Sequence, residues 1–149
     1  MAQLQPERKK AKAMIEAHLA ALQEPKRTDL QALHRLLTGK LAEKELWFSD
    51  GRNAEGRVVT NPTIGYGSFL MKYAGGKTSE WFRIGICATS TGISVYILGL
   101  TDKTHLSTAY GKRLGKAKVT GYCISFKTLK DIDQNVLEEA IRFGLAQKD

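Results

Sequence analysis

Cysteine, proline and long apolar runs are all scarce in this chain of 149 residues. Two cysteines, Cys87 and Cys123, are too few for a disulfide scaffold and lie in no CxxC or Cys/His spacing. They are expected as reduced thiols inside strands, with a regulatory disulfide as the lesser alternative. The richest apolar stretch, around Val95–Leu100, is far too short to span a bilayer. The segment Met1–Met14 is charged and has no apolar run before a small-residue cleavage site, so no secretory signal is expected and the cytoplasm is the default location. Acidic residues are missing from one whole stretch: Lys103, Lys112, Arg113, Lys116, Lys118, Lys127 and Lys130 span it without an Asp or Glu between them. Much of the formal charge of +8 is concentrated there.

Catalytic signatures are also missing. Gly65-Tyr66-Gly67 starts like a dinucleotide fingerprint, but Leu70 stands where the third glycine belongs and strand follows instead of helix. Gly76-Lys77-Thr78 resembles the end of a phosphate-binding loop, yet Met71 occupies the place of its upstream glycine. No GxSxG, HExxH or EF-hand loop occurs. His18 and His34 fall on or beside apolar helical stripes and are expected as packed structural residues; His105 is expected as surface polarity alone.

What is present is the material of one globular domain. Hydrophobic residues make up 42% and charged residues 26%, the balance of a chain that builds a single core. Helical periodicity places Ala11, Met14, Ile15, His18, Leu19 and Leu22 on one side of a first helix, opposite Arg8, Lys9, Lys12 and Glu16. Pro25 interrupts it. Thr28 and Gln31 have the spacing of a capping box for a second helix, striped by Leu30, Leu33 and Leu37 and ended by Gly39. At the other end Asp133 predicts an N-cap, Ile132 and Leu137 a hydrophobic staple, and Val136, Leu137, Ala140, Ile141 and Leu145 a buried stripe.

Between these helices lie 13 of the 14 glycines, among β-branched and aromatic residues. Thr63–Tyr73 and Glu80–Ala88 read as a hairpin turning at Ala74–Thr78, followed by strands at Ile93–Leu98 and Tyr122–Lys127. A short helix at His105–Tyr110 stops at Gly111. Helices flanking hairpin-linked strands, with no βαβ rhythm, predict an α+β fold: an antiparallel sheet with N-terminal and C-terminal helices packed on one face, as a two-layer sandwich.

Alternation then sorts the side chains. Phe69, Met71, Phe82, Ile84, Ile86, Ile93, Val95, Ile97, Tyr122, Ile124 and Phe126 form an apolar face for the helices. The opposite face carries Tyr66, Lys72, Trp81, Arg83, Tyr96, Ser125 and Lys127, a candidate ligand face. Aromatics interleaved with cations are what stacking and phosphate neutralisation require in a single-strand nucleic-acid binder. Lys112, Arg113, Lys116 and Lys118 form a second candidate, for anions. The competing reading is that any two-layer sheet has a polar face and many proteins a basic, solubilising one.

Several blocks resemble a known family. Tyr66-Gly67, Tyr73-Ala74-Gly75-Gly76-Lys77 and Glu80-Trp81-Phe82-Arg83-Ile84-Gly85 look like the central hairpin of domain of unknown function 1801 (YdhG-like). Leu114-Gly115-Lys116-Ala117-Lys118, Gly121-Tyr122-Cys123-Ile124 and Leu129-Lys130-Asp131-Ile132-Asp133 resemble its C-terminal strand and helix. The blocks are collinear from about Leu30 to Leu145, which implies one domain over residues 1–149 with 1–27 as a looser helical extension. One branch of that family is regarded as a frataxin-like iron chaperone, so the resemblance implies a non-enzymatic carrier that passes iron to an acceptor protein. No cofactor is evident otherwise. Iron is a hard cation and wants clustered carboxylates, whereas only Glu43/Glu45, Asp131/Asp133 and Glu138-Glu139 bring acids close in sequence. The alternative is an anionic-ligand or nucleic-acid binding module using the basic, aromatic sheet face. An enzyme finds no specific support.

Overall fold

The structure is a computed structural model that describes residues 11–41, 45–53 and 55–147. Arg8, Lys9 and Glu43, invoked above, lie outside them. The fold is α+β. In chain order come helices α1 (Ala11–Ala21) and α2 (Lys26–Leu36), then strands β1 (Leu46–Ser49), β2 (Thr63–Tyr66), β3 (Phe69–Lys72), β4 (Thr78–Trp81), β5 (Ile84–Ala88) and β6 (Ile93–Ile97). Helix α3 (His105–Leu114), strands β7 (Ala117–Val119) and β8 (Cys123–Phe126) and helix α4 (Gln134–Leu145) complete the order. Six strands make one antiparallel sheet in the order β1-β2-β5-β6-β8-β7, and β3 pairs with β4 in a separate hairpin. Among the described residues no helix is long and apolar enough to cross a membrane.

Register explains the core. Phe48, Ile64, Ile86, Val95 and Ile124 stand opposite one another on successive strands, and so do Leu46, Tyr66, Ile84 and Ile97. All but the half-buried Leu46 are buried, in one cluster with Ile15, Leu19, Leu30, Leu33, Leu37, Leu106, Leu114, Leu137 and Ile141 from the helices. Helix α1 lies on β1, α2 and α4 lie on β5, and α3 packs against α4 and β7. The helices thus cover one face, as the alternation of Ile84 and Ile86 requires. Each buried isoleucine or valine of these rows contributes about 1.5–3 kcal/mol relative to leaving it exposed.

Helix ends depart from expectation in three places. Thr28 sits inside α2, and Glu24 supplies the cap: its carboxylate accepts from the Thr28 amide at 3.0 Å and from the Thr28 hydroxyl at 2.8 Å. Gly39 does not take the left-handed conformation; α2 runs on into a π-helical turn at Leu37–Leu41. Helix α3 passes through Gly111, because Leu114 completes a buried stripe with Leu106 and Tyr110. It ends at Gly115, whose φ of +100° suits glycine. The Asp133 cap forms as expected, accepting from Asn135 N and Val136 N.

Two strands, β1 and β7, were not legible in the sequence, and the long hairpin is broken in two. At Gly67 (φ +68°) and, opposite it, at Phe82-Arg83, the chain leaves the main ladder. The period-two count restarts there, so Phe82 points away from Ile84 and Ile86 instead of sharing their face. Hairpin β3–β4 then rolls over the second face of the sheet, where Phe69, Trp81 and Phe82 join Trp47 of β1 in a small apolar cluster. The Trp47 indole donates to Gly67 O at 2.8 Å and ties the roll in place.

Candidate ligand-binding face

The second face is built from small residues beside large ones. One cross-strand row reads Trp47, Gly65, Gly85, Tyr96 and Cys123; the next includes Cys87, Ser94, Ser125 and Lys118. The paired glycines leave a trough, and the Phe82 ring fills it: a Cβ at Gly65 would lie 2.6 Å from Phe82 Cγ, and one at Gly85 2.6 Å from Phe82 Cε1. The rolled hairpin therefore covers the β1–β2–β5 half of this face. The β6–β8 half stays open.

Where covered and open halves meet lies a hollow of about 210 Å³, lined by Thr60, Thr63, Trp81, Phe82, Tyr96, Leu98 and Tyr122. Trp81 and Phe82 approach at 5.2 Å between centroids with 31° between planes, and Tyr96 and Tyr122 at 6.2 Å and 21°. Tyr122 is 55% exposed. The Trp81 indole N–H is buried with no hydrogen-bond partner among the described residues. Two residues back along β6 the face opens into a recess of about 350 Å³, lined by Thr89, Thr91, Ile93, Ser94, Lys118, Ser125, Phe126 and Lys127. Ser94 and Ser125 share a hydroxyl–hydroxyl hydrogen bond of 3.1 Å on its floor, and the lysines are exposed.

Two titratable groups of this face, Cys87 and Tyr96, are held in their neutral forms. Burial pushes the Cys87 thiol up, and burial followed by the neighbouring Cys87 pushes the Tyr96 phenol up. Cys87 Sγ lies 3.8 Å from Tyr96 Oη. A protonated thiol beside a protonated phenol is neither a ready nucleophile nor a base near neutral pH. Cys87 on β5 and Cys123 on β8 are separated by β6. Two strand spacings amount to about 9.6 Å, beyond the roughly 7 Å between Cα atoms that a disulfide tolerates. The sheet thus rules out a disulfide between them.

Of the residues expected on this face, Trp81 and Tyr96 line the hollow, and Ser125 and Lys127 line the recess. The other three lie elsewhere. Tyr66 is fully buried under the helices, its hydroxyl 2.6 Å from His34 Nδ1. Lys72 is exposed on the separate β3–β4 hairpin. Arg83 is 4% exposed, with its guanidinium 5.0 Å from the centre of the Phe69 ring and Nη1 3.4 Å from Leu98 O. The break at Gly67 and Phe82 moved all three, since each was placed by counting through it. Tyr122 was expected on the oily side but precedes the β8 ladder and turns outward to stack on Tyr96.

The four basic residues expected as an anion site do not converge. Lys118 reaches the recess. Arg113 is engaged by Glu139 through both guanidinium nitrogens, at 2.9 and 3.1 Å. Lys112 is exposed on α3, and Lys116 follows α3 beside Asp131. Histidines are structural, as expected of His18 and His34: His18 lies 5.5 Å from Phe48. His105, expected at the surface, instead stacks on Phe143 at 3.9 Å between centroids. Among the described residues no group of three or more His, Cys, Asp or Glu is arranged to hold a metal. Sequence reasoning missed Phe82, Thr60 and Thr63 as lining residues; only the adjoining glycines hinted that a ring would cover the sheet there. Compared with protein-family models, curated proteins and solved structures, the chain matches none.

Proposed function

We propose that the protein is a non-enzymatic binding domain that holds an anionic ligand carrying planar rings, such as a short single-stranded nucleic acid, on the open half of its sheet. One observation carries this reading: an aromatic hollow and a recess bearing Lys118 and Lys127 adjoin on strands β6 and β8. Stacking surfaces and phosphate-neutralising cations side by side are the two components of sequence-tolerant single-strand binding. The surplus of positive charge adds long-range attraction for any such ligand.

The iron-carrier reading implied by the family resemblance has less to stand on. Asp131 accepts from the Thr128 hydroxyl, Asp133 caps α4, and Glu138 and Glu139 are each engaged by an arginine. These four acids are thus committed to local structure.

Titration of a labelled single-stranded oligonucleotide at several salt concentrations tests the proposal. Two phosphate contacts give a slope of log K against log salt of roughly −1.4. Replacing both Lys118 and Lys127 by alanine flattens it. Affinity that is absent at low salt, or unchanged in the double variant, overturns the reading.

A further inference from the structure

We infer that the hollow beside Tyr96 is a pocket for one uncharged planar ring of purine size, distinct from the lysine recess that receives the anionic part of the ligand. The inference rests on reading this face as a ligand surface and adds what enters the hollow.

Size sets the first bound. A cavity of roughly 150 Å³ accommodates benzene, and pockets for drug-sized molecules begin at about 300 Å³. At about 210 Å³ the hollow lies between them, too large to be filled by a single six-membered ring and too small for an elaborated molecule. A fused pair of rings matches it.

Chemistry sets the second bound. No charged side chain lines the hollow. Burial pushes the Tyr96 phenol up, and no cation or carboxylate in the lining offsets a ligand charge. Four of the seven lining residues are aromatic, in two pairs whose planes are 21° and 31° apart. Flat walls reward a flat guest through stacking, which an aliphatic chain does not share. Thr60, Tyr96 and Tyr122 contribute hydroxyls that can donate and accept, whereas Thr63 already donates its own to Asn61 O at 3.1 Å. The Trp81 N–H is buried without an acceptor among the described residues. A ring with mixed donor and acceptor edges, as in a purine, suits such a lining better than a hydrocarbon.

Position sets the third. Tyr96 in the hollow and Ser94 in the recess are two residues apart on one strand face, a spacing of roughly 6.6–6.8 Å. That is about the reach from a base to its own phosphate, so a ring seated in the hollow leaves its phosphate at the Ser94 edge of the recess.

Adenosine, which carries the ring without phosphate, is the discriminating probe. In a Trp47→Phe variant the fluorescence of Trp81 is expected to change saturably with adenosine and to be insensitive to salt. The Trp81 indole resonance of the unaltered protein reads the same event should that variant not fold. Tyr122→Ala removes an exposed wall and is expected to weaken adenosine about tenfold. Replacing Lys118 and Lys127 by alanine leaves adenosine unchanged while weakening adenosine monophosphate. No response of Trp81 to adenosine, or an equal response in Tyr122→Ala, overturns the inference. Oligonucleotide binding that survives such a result would sink the ring pocket alone. Adenosine binding without any oligonucleotide affinity would support the pocket and sink the wider reading.

Discussion

The Phe82 ring occupies the space that a side chain at Gly85 would need, with a built Cβ falling 2.6 Å from Cε1. The same ring stands equally close over Gly65, the cross-strand neighbour of Gly85. A glycine pair in a sheet costs strand stability, and a ring laid across it recovers buried area while fixing the path of the hairpin. Gly65→Ala or Gly85→Ala is therefore expected to destabilise by about 1–3 kcal/mol through overpacking. Phe82→Ala is expected to lose about 3–5 kcal/mol. Denaturant unfolding measures all three, and combining Phe82→Ala with Gly85→Ala should cost less than the sum, because the clash is gone.

Tyr66 and His34 make a second buried relationship, between β2 and α2, at 2.6 Å. Removing the hydroxyl in Tyr66→Phe leaves the ring nitrogen of His34 without that partner, at an expected cost of about 1–3 kcal/mol. A control Tyr73→Phe, on the exposed hairpin turn, should stay within about 0.5 kcal/mol.

Burial holds the imidazoles of His18 and His34 below their usual value, desolvation being the largest cause in each. A depressed histidine stays neutral in the folded chain while the unfolded chain takes up a proton. Stability is then complete above about pH 6.5 and falls as pH drops from there toward the folded values. Urea midpoints measured across that range should decline with acid, and replacing both histidines by glutamine should flatten the decline. A midpoint that rises toward pH 5 would contradict the assignment.

At the start of α4, Asp133 accepts from Asn135 N at 3.0 Å and Val136 N at 3.3 Å. Asp133→Ala is expected to cost about 1 kcal/mol, and Asp133→Asn far less, since either side chain caps. Comparing the thermal midpoints of the two separates capping from charge.

Arg113 and Glu139 join α3 to α4 across a surface where both are about half exposed. Solvent screening leaves such a pair little to contribute to stability. Arg113→Ala should hardly change stability or oligonucleotide affinity, whereas Lys118→Ala should lower affinity without touching stability. Equal effects of the two on binding would mean that the basic stretch acts diffusely.

Much of the architecture was legible in the sequence because it rests on local periodicity. Leu30, Leu33 and Leu37 mark α2, Asp133 marks the start of α4, and Ile84, Ile86, Val95 and Ile124 alternate as strands with one oily face. These signals need only the repeat of a helix or a strand, which the chain carries along its length. Short edge strands such as Ala117–Val119 have too few residues to show that repeat, and α3 extends through Gly111 only because Leu114 finds a buried place.

The candidate site came from tertiary structure. A period-two pattern assigns faces correctly until the ladder breaks, and here it breaks at Gly67 and Phe82, where no residue announces whether the count resets. Sequence alone determined that one face of the sheet is apolar and that cations gather late in the chain. Only the fold decided that Phe82 crosses to the other face, that Tyr66 and Arg83 are buried, that Tyr96 stacks with Tyr122, and that Lys118 and Lys127 line one recess. The reason is that those contacts join segments separated along the chain, whose meeting depends on the direction of a hairpin's roll.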